Sequence, residues 1–281
     1  MSAATPSLAS LWRYPVKSMM GEELNSSVIT DNGMLGDRAY ALLDVETDKI
    51  VSAKNPRKWP DIFSFHARYV ESPEFDKAIP PAWITLPDGN LIRSDQADAE
   101  QQLSAVLKRT VSLSRQASHR ASLEQYWPEY EGEGTEISNE AIAGAAADGS
   151  FFDYATLHIL TTATLTQLQQ RYPGGRLEAR RFRPNLVIAT DPGQAGFVEN
   201  DWVGKTLRIG SVILLVTDPC PRCVMPTLAQ GDLAKDAKIL RTIAENTVHV
   251  PFAGKALPSA GVYAKVIQPG IIQRGSPVVI E

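Results

Sequence analysis

The chain has 281 residues, with 28 Lys and Arg against 32 Asp and Glu and a formal charge of −4. That length buries a substantial core and predicts two ordinary domains, while the acidic balance offers no general attraction to nucleic acid or to an anionic membrane, so any anion must be met by a local cluster of bases. Met1 to Ser10 lacks a basic stretch followed by an apolar run, and nothing approaches the ~18 apolar residues of a spanning helix, so the expectation is a cytoplasmic protein with no membrane part.

Short β-type runs fill the first hundred residues: Leu8 to Tyr14, Ala39 to Asp44, Ile62 to Val70, Trp83 to Leu86 and Leu91 to Arg93. Turn chemistry separates them, with Asp31-Asn32-Gly33 and Pro87-Asp88-Gly89-Asn90 as hairpin signals. Ala99, Leu103, Val106 and Leu107 predict a helix over Asp95 to Lys108. From Glu129 to Ser150 the chain is rich in Gly, Ala, Glu and Ser without apolar periodicity and reads as a linker or flap. Beyond it a strand is predicted at Tyr154 to Leu160, then a helix carrying Leu165, Leu168 and Tyr172 that Pro173-Gly174-Gly175 stops. Further strands are predicted at Leu186 to Ala189, Thr206 to Ile209, Val212 to Val216, Val262 to Ile267 and Val278 to Ile280, with a short helix near Asp236 to Glu245. The fold class is therefore mixed α/β and predominantly β, a barrel or sandwich with a few helices. The expected division is an N-terminal domain over 1–118, a linker or flap over 119–150 and a second domain over 151–281.

Chemistry is expected first at Cys220-Pro221-Arg222-Cys223, which holds the only two cysteines and follows an apolar strand. A strand ending in a proline-stiffened turn presents its thiol at the end of a sheet, and Arg222 favours the thiolate that serves as nucleophile or metal ligand. A disulfide would close a very small loop in a chain unlike a cysteine-stapled secreted domain. A thioredoxin-type pair would open a helix, whereas Val224-Met225-Pro226-Thr227 reads as extended. A structural zinc site would have to recruit His66, His119, His158, His249 or carboxylates, and the histidines lack zinc-site spacing.

Two places concentrate positive charge. If Arg180 to Asn185 is extended, Arg181, Arg183 and Asn185 share one face and could grip a phosphate or carboxylate, with Phe182 and Leu186 turned to the core. A solvated basic edge that discourages strand pairing is the other reading of this segment. The second place is Tyr14-Pro15-Val16-Lys17-Ser18 with Gly36-Asp37-Arg38 some way on.

In this order and at these separations, the four motifs resemble the MOSC proteins, whose C-terminal-type domain follows an N-terminal β-barrel domain. The resemblance implies a molybdenum-molybdopterin cofactor with Cys223 as the protein ligand to molybdenum. It further implies that Lys17, Ser18, Arg38, Arg181, Arg183, Asn185 and Arg222 hold the pterin and its phosphate. Described relatives include the mitochondrial amidoxime-reducing component and bacterial reductases of N-hydroxylated compounds. The implied activity is two-electron, two-proton reduction of amidoximes, hydroxylamines and N-hydroxylated bases, with Asp153 assisting proton delivery. Tyr154-Ala155 and Val224-Met225-Pro226-Thr227 depart from the family's usual residues. No cysteines are left for an iron–sulfur domain and no dinucleotide fingerprint is present, so electrons are expected from a separate ferredoxin, flavodoxin or cytochrome b5-like protein with its reductase. The alternatives are sulfur transfer through a Cys223 persulfide and cofactor binding without turnover.

Overall fold

The computed structural model describes residues 5–127, 136–147 and 149–281. It is mostly β, with three α-helices among those residues, at Ala99–Leu107, Thr162–Arg171 and Lys238–Ala244. None of them is long and apolar enough to cross a membrane.

The largest sheet has nine strands. Its middle is the long strand Lys255–Gln268, flanked by Leu157–Thr161 and Val212–Pro221. Beyond Leu157–Thr161 lie Leu186–Ala189, Ser7–Arg13 and Glu22–Leu24; beyond Val212–Pro221 lie Thr206–Ile209 and Val278–Ile280; the ninth strand, Thr247–Val250, pairs with the first part of Lys255–Gln268. Along Val212–Pro221, Val212, Leu214 and Val216 are buried while Ile213 and Leu215 are half-buried, the alternation expected of a strand with one face on the core. A five-stranded sheet joins Val111–Ser114, Ala41–Asp44, Lys49–Ile50, Ser122–Trp127 and Glu136–Ala141. Two three-stranded sheets complete the set, one of which pairs Gly270–Gln273 with Ser26–Thr30.

Hydrogen bonding crosses the division expected from the sequence. Ser7–Arg13 pairs with Leu186–Ala189, and Ser26–Thr30 with Gly270–Gln273. The stretch 119–150, expected as a linker or flap, instead supplies Ser122–Trp127 and Glu136–Ala141, an antiparallel pair whose first strand also bridges Lys49–Ile50. Residues 128–135 and 148 lie outside the described set. The pair escapes a periodicity search because its second strand alternates exposed and half-buried residues with no fully buried member.

Other local expectations are corrected by turns. The strand placed at Tyr154 begins at Leu157, and the first part of Ile62 to Val70 is a 3-10 turn over Ile62–Ser64. After Cys223 the chain does not run extended but enters a 3-10 turn at Met225–Thr227. That turn carries Val224 and Leu228 into the core built from Val16, Met19, Trp59, Phe63 and Phe65 of the N-terminal half. Burying two such side chains stabilises the junction by about 1.5–3 kcal/mol each. Cys223 thus stands between the end of the nine-stranded sheet and the entry into the N-terminal core.

Candidate functional site

The site is assembled where the first strand runs out. After Arg13, the backbone N–H of Tyr14 donates to Asp37 Oδ1 at 2.7 Å and the N–H of Arg38 donates to the Tyr14 carbonyl at 2.7 Å. Asn185 closes this corner: its Nδ2 donates to Asp37 Oδ2 at 2.9 Å, and its Oδ1 accepts the His158 backbone N–H at 3.1 Å. Asn185 is therefore a brace between three segments, with its amide spent on protein.

The extended arginine face does not form. Ala179–Phe182 is a 3-10 turn, and Arg183 follows it in the left-handed region at φ 54°. Arg181 is buried and points the other way, donating to the carbonyls of Arg176, Pro226, Leu228 and Ala234 at 2.7–3.2 Å. Carbonyls hungry for donors on a turning chain outcompete the strand geometry that alternation alone suggests. Arg181 is a clamp on the segment after Cys223, away from the other bases. Phe182 and Leu186 are buried as expected, though in separate core clusters.

Arg183 does join the site. It donates through Nη1 to the Met19 carbonyl at 2.8 Å and lies over the rings of Tyr14, at 4.1 Å, and Phe63, at 5.3 Å. Arg38 lies over the same Tyr14 ring at 4.9 Å and is paired with Asp37. Burial together with Arg38 pulls the Arg183 guanidinium down to about 10. Lys17 Nζ donates to the Phe151 carbonyl at 2.6 Å and pairs with Asp153, whose other oxygen meets Lys54 Nζ at 3.1 Å. Burial lowers Lys17 to about 8 against the opposing pull of Asp153. Burial alone would raise Asp153, but Lys17 and Lys54 hold it far below the usual carboxylate range.

Ser18, Arg38 and Arg183 all have left-handed backbone, with φ of 65°, 51° and 54°. Non-glycine residues pay for that conformation, and such outliers gather where a site dictates the geometry. The Ser18 Oγ accepts the Ala53 N–H at 3.1 Å, so its own O–H remains available as a donor.

The thiol turn completes the cluster. Both cysteines are free; Cys220 is buried and Cys223 half-buried. The strand runs past the apolar run to Pro221, so Cys220 is its penultimate residue, at the end of the sheet as expected. Arg222 donates through Nη1 to the Cys220 sulfur at 3.0 Å and through Nη2 to the Phe182 carbonyl at 2.7 Å, and its Nε is buried with no partner among the described residues. Burial would push the Cys220 thiol up, but His158 and Arg222 beside it bring it down to about 6.

His158 is held by packing. A Cβ on Gly261 would lie 2.3 Å from His158 Nε2 and 2.6 Å from the Ile159 carbonyl, and Gly261 has φ +81°. The Gly261 N–H is fixed at 3.1 Å by Glu199, a fully buried carboxylate that also accepts from Thr161 and Thr164. Gly261→Ala is therefore expected to lower stability by more than about 1 kcal/mol in urea unfolding, beyond the cost of an ordinary loop change.

Five cations, Lys17, Lys54, Arg38, Arg183 and Arg222, are thus gathered around Asp37, Asp153 and the two cysteines, with Glu140 also near Lys54. Buried charge without a full set of partners is costly unless an anion completes it. Lys54 was not legible in the sequence as a site residue. It is placed by Ser122–Trp127, whose Tyr126 N–H donates to the Lys54 carbonyl at 2.8 Å. A separate concavity of about 610 Å³, lined by Leu165, Gln169 and Pro173, includes none of these groups.

Comparison with known proteins gives the following matches. Residues 147–279 match the MOSC domain and residues 5–82 the MOSC N-terminal beta barrel domain. The mouse (Mus musculus) mitochondrial amidoxime-reducing component 1 is 26% identical over 303 residues, covering 96% of this chain and 81% of that protein. The human (Homo sapiens) mitochondrial amidoxime reducing component 2 is 25% identical, with 96% and 82% covered. A molybdenum cofactor sulfurase of Oryza sativa subsp. japonica is 25% identical over 84% of this chain and 30% of its own length. Among solved structures, the YUAD protein from Bacillus subtilis covers 99% of this chain and 97% of its own at 11% identity, with a TM-score of 0.41.

Proposed function

Since the chain belongs to the MOSC family and carries that family's N-terminal β-barrel domain too, we propose that it is a molybdenum cofactor-dependent reductase of N-oxygenated compounds, fed by an external electron donor. The observation that carries the reading is the half-buried Cys223 beside a cluster of five cations, of which Lys17 and Arg183 are buried. Lys54 and Arg222 are the cations that lie beside Cys223.

The residues fit such a cofactor. Among the described residues no three His, Cys, Asp or Glu side chains converge to hold an ion by themselves, so a metal at Cys223 must arrive with most of its ligands, as a dithiolene-bound molybdenum does. Soft thiolate donors suit such a metal. Arg183, Arg38 and the Ser18 hydroxyl retain unspent donors for a phosphate, and the orphaned Arg222 Nε lacks an acceptor that a bound group would supply. Asn185 and Arg181 act behind them as supports. When bound, the cofactor would exchange two electrons with the substrate N–O bond; with two protons the products are the dehydroxylated nitrogen compound and water.

Proton supply is assigned to Lys17. Asp153 is ionised across the neutral range and cannot give up a proton it does not hold, whereas Lys17 at about 8 is protonated at pH 7 and close to losing its proton. Asp153 then orients Lys17. In the sulfur-transfer alternative Cys220 would serve as resolving thiol, but it is buried and engaged by Arg222, which disfavours that role.

The test is expression in a host that makes the cofactor, followed by assay. The protein should carry about one molybdenum per chain and reduce benzamidoxime with reduced viologen but not with NADH alone. Addition of a flavin reductase with a small one-electron carrier should restore NADH-dependent turnover. A molybdenum-loaded protein that reduces no N-oxygenated compound with viologen, yet passes labelled sulfur from Cys223 to an acceptor, would overturn the proposal.

A further inference from the structure

Next to Arg38 the surface opens into a cavity of about 350 Å³. It is lined by Met34, Phe75, Phe151 and Phe152 on its apolar side and by Arg38, Arg115 and Ser150 on its polar side. The volume sits at the lower end of small-molecule sites, which begin at about 300 Å³. Lys17, Lys54 and Cys223 do not line it.

The polar groups are unevenly matched. Arg115 donates through Nη2 to the Ile79 carbonyl and lies 5.2 Å over the Tyr40 ring, with no carboxylate paired to it among the described residues. Arg38 spends Nη1 on Asp37, and the other Asp37 contacts are the Tyr14 N–H and Asn185. Among the described residues, the Ser150 Oγ is buried without a partner. A buried hydroxyl left unsatisfied costs free energy that a ligand acceptor would recover. The remaining carboxylate, Asp76, belongs to an exposed residue in the left-handed region at φ 60°.

We propose that this cavity binds a small organic monocarboxylate with a planar apolar body: the carboxylate meets the Arg115 and Arg38 guanidinium groups and the Ser150 hydroxyl, and the body lies against Phe75, Phe151 and Phe152. Arginine forks match a carboxylate in two-point geometry. Inorganic phosphate would leave the aromatic wall uncovered, and its second charge would face Asp76. The site stands whether or not the reductase reading holds, and because Arg38 belongs also to the cation cluster, its occupant draws on a guanidinium the two sites share.

The experiment is calorimetric titration of the purified full chain with benzoate, alongside benzamidine, which has the same ring and the opposite charge, and inorganic phosphate. Saturable one-to-one binding of benzoate is expected, with benzamidine and phosphate each weaker by at least about tenfold. Arg115→Ala should weaken benzoate by about tenfold or more, in keeping with loss of a charge-assisted pair. Ser150→Val, which sets methyls where the hydroxyl has no partner, should weaken benzoate also while keeping the fold. No saturable binding, equal binding of benzamidine, tighter binding of phosphate, or unchanged affinity in both folded variants would each overturn the proposal.

Discussion

Cys223→Ala is expected to fold, to lose molybdenum and to lose reductase activity. The side chain is half-buried and contributes little to the core, so its removal leaves no large cavity. Changes one shell away from a metal already cost about 10–100-fold in affinity or activity; loss of the protein ligand proposed above should exceed that range. Cys220 is the contrast. Its sulfur accepts from Arg222 in a buried setting, so Cys220→Ala leaves a guanidinium unpaired and should destabilise the chain rather than strip the metal selectively. Metal content by elemental analysis, set beside melting temperature for both variants, separates the two thiols. Full activity with unchanged molybdenum content in Cys223→Ala would remove this residue from the ligand role.

The Cys220 thiolate also leaves a signature in the unmodified chain. Its folded pKa, about 6, lies below the ordinary thiol value of 9.0. The unfolded chain therefore binds more protons between those values, and stability should rise with pH from about 6 to 9. Lys17, lowered from 10.5 to about 8, extends the same trend upward, since its burial penalty is fully present below pH 8 and fades as pH climbs to the unfolded value.

What the sequence made legible follows from which forces are local. Leu186 to Ala189, Thr206 to Ile209 and Val278 to Ile280 were bounded correctly because apolar runs between Gly, Pro and polar turns leave few alternatives. Lys17, Arg38, Arg183 and Cys223 could be named from motifs whose order matched a family. The orientation of Arg181 could not, since it depends on carbonyls of Pro226, Leu228 and Ala234, far along the chain. Lys54 was invisible for the same reason: it meets Asp153, and its carbonyl accepts from Tyr126 of a strand pair that reads as a linker. The segment that follows the pair backs the site, with the N–H groups of Ala143 and Ala145 donating to the carbonyls of Phe152 and Tyr154 at 2.8 Å.

Asp153→Asn should separate the two proton assignments. Asp153 raises Lys17 by its charge and by its hydrogen bond, so neutralising it lowers Lys17 further below about 8. If Lys17 is the donor, activity in the parent falls as pH rises through about 8, and the variant's falling limb moves to lower pH by about one unit or more. Activity near pH 6 should then survive in the variant, while activity at pH 8 drops by about tenfold or more. If Asp153 itself delivered the proton, the variant would be inactive across the range with no shifted limb. Stability supplies an independent check. A carboxylate held below its ordinary value contributes stability that is present above about pH 4 and lost as pH falls through its folded pKa, so the parent should lose an acid-side increment that Asp153→Asn lacks from the start. The increment will be modest, because the Asp153 side chain is 34% exposed and solvent screens its pairs. The pH at which activity falls, rather than the size of the stability change, is therefore the measurement that decides which residue handles the proton.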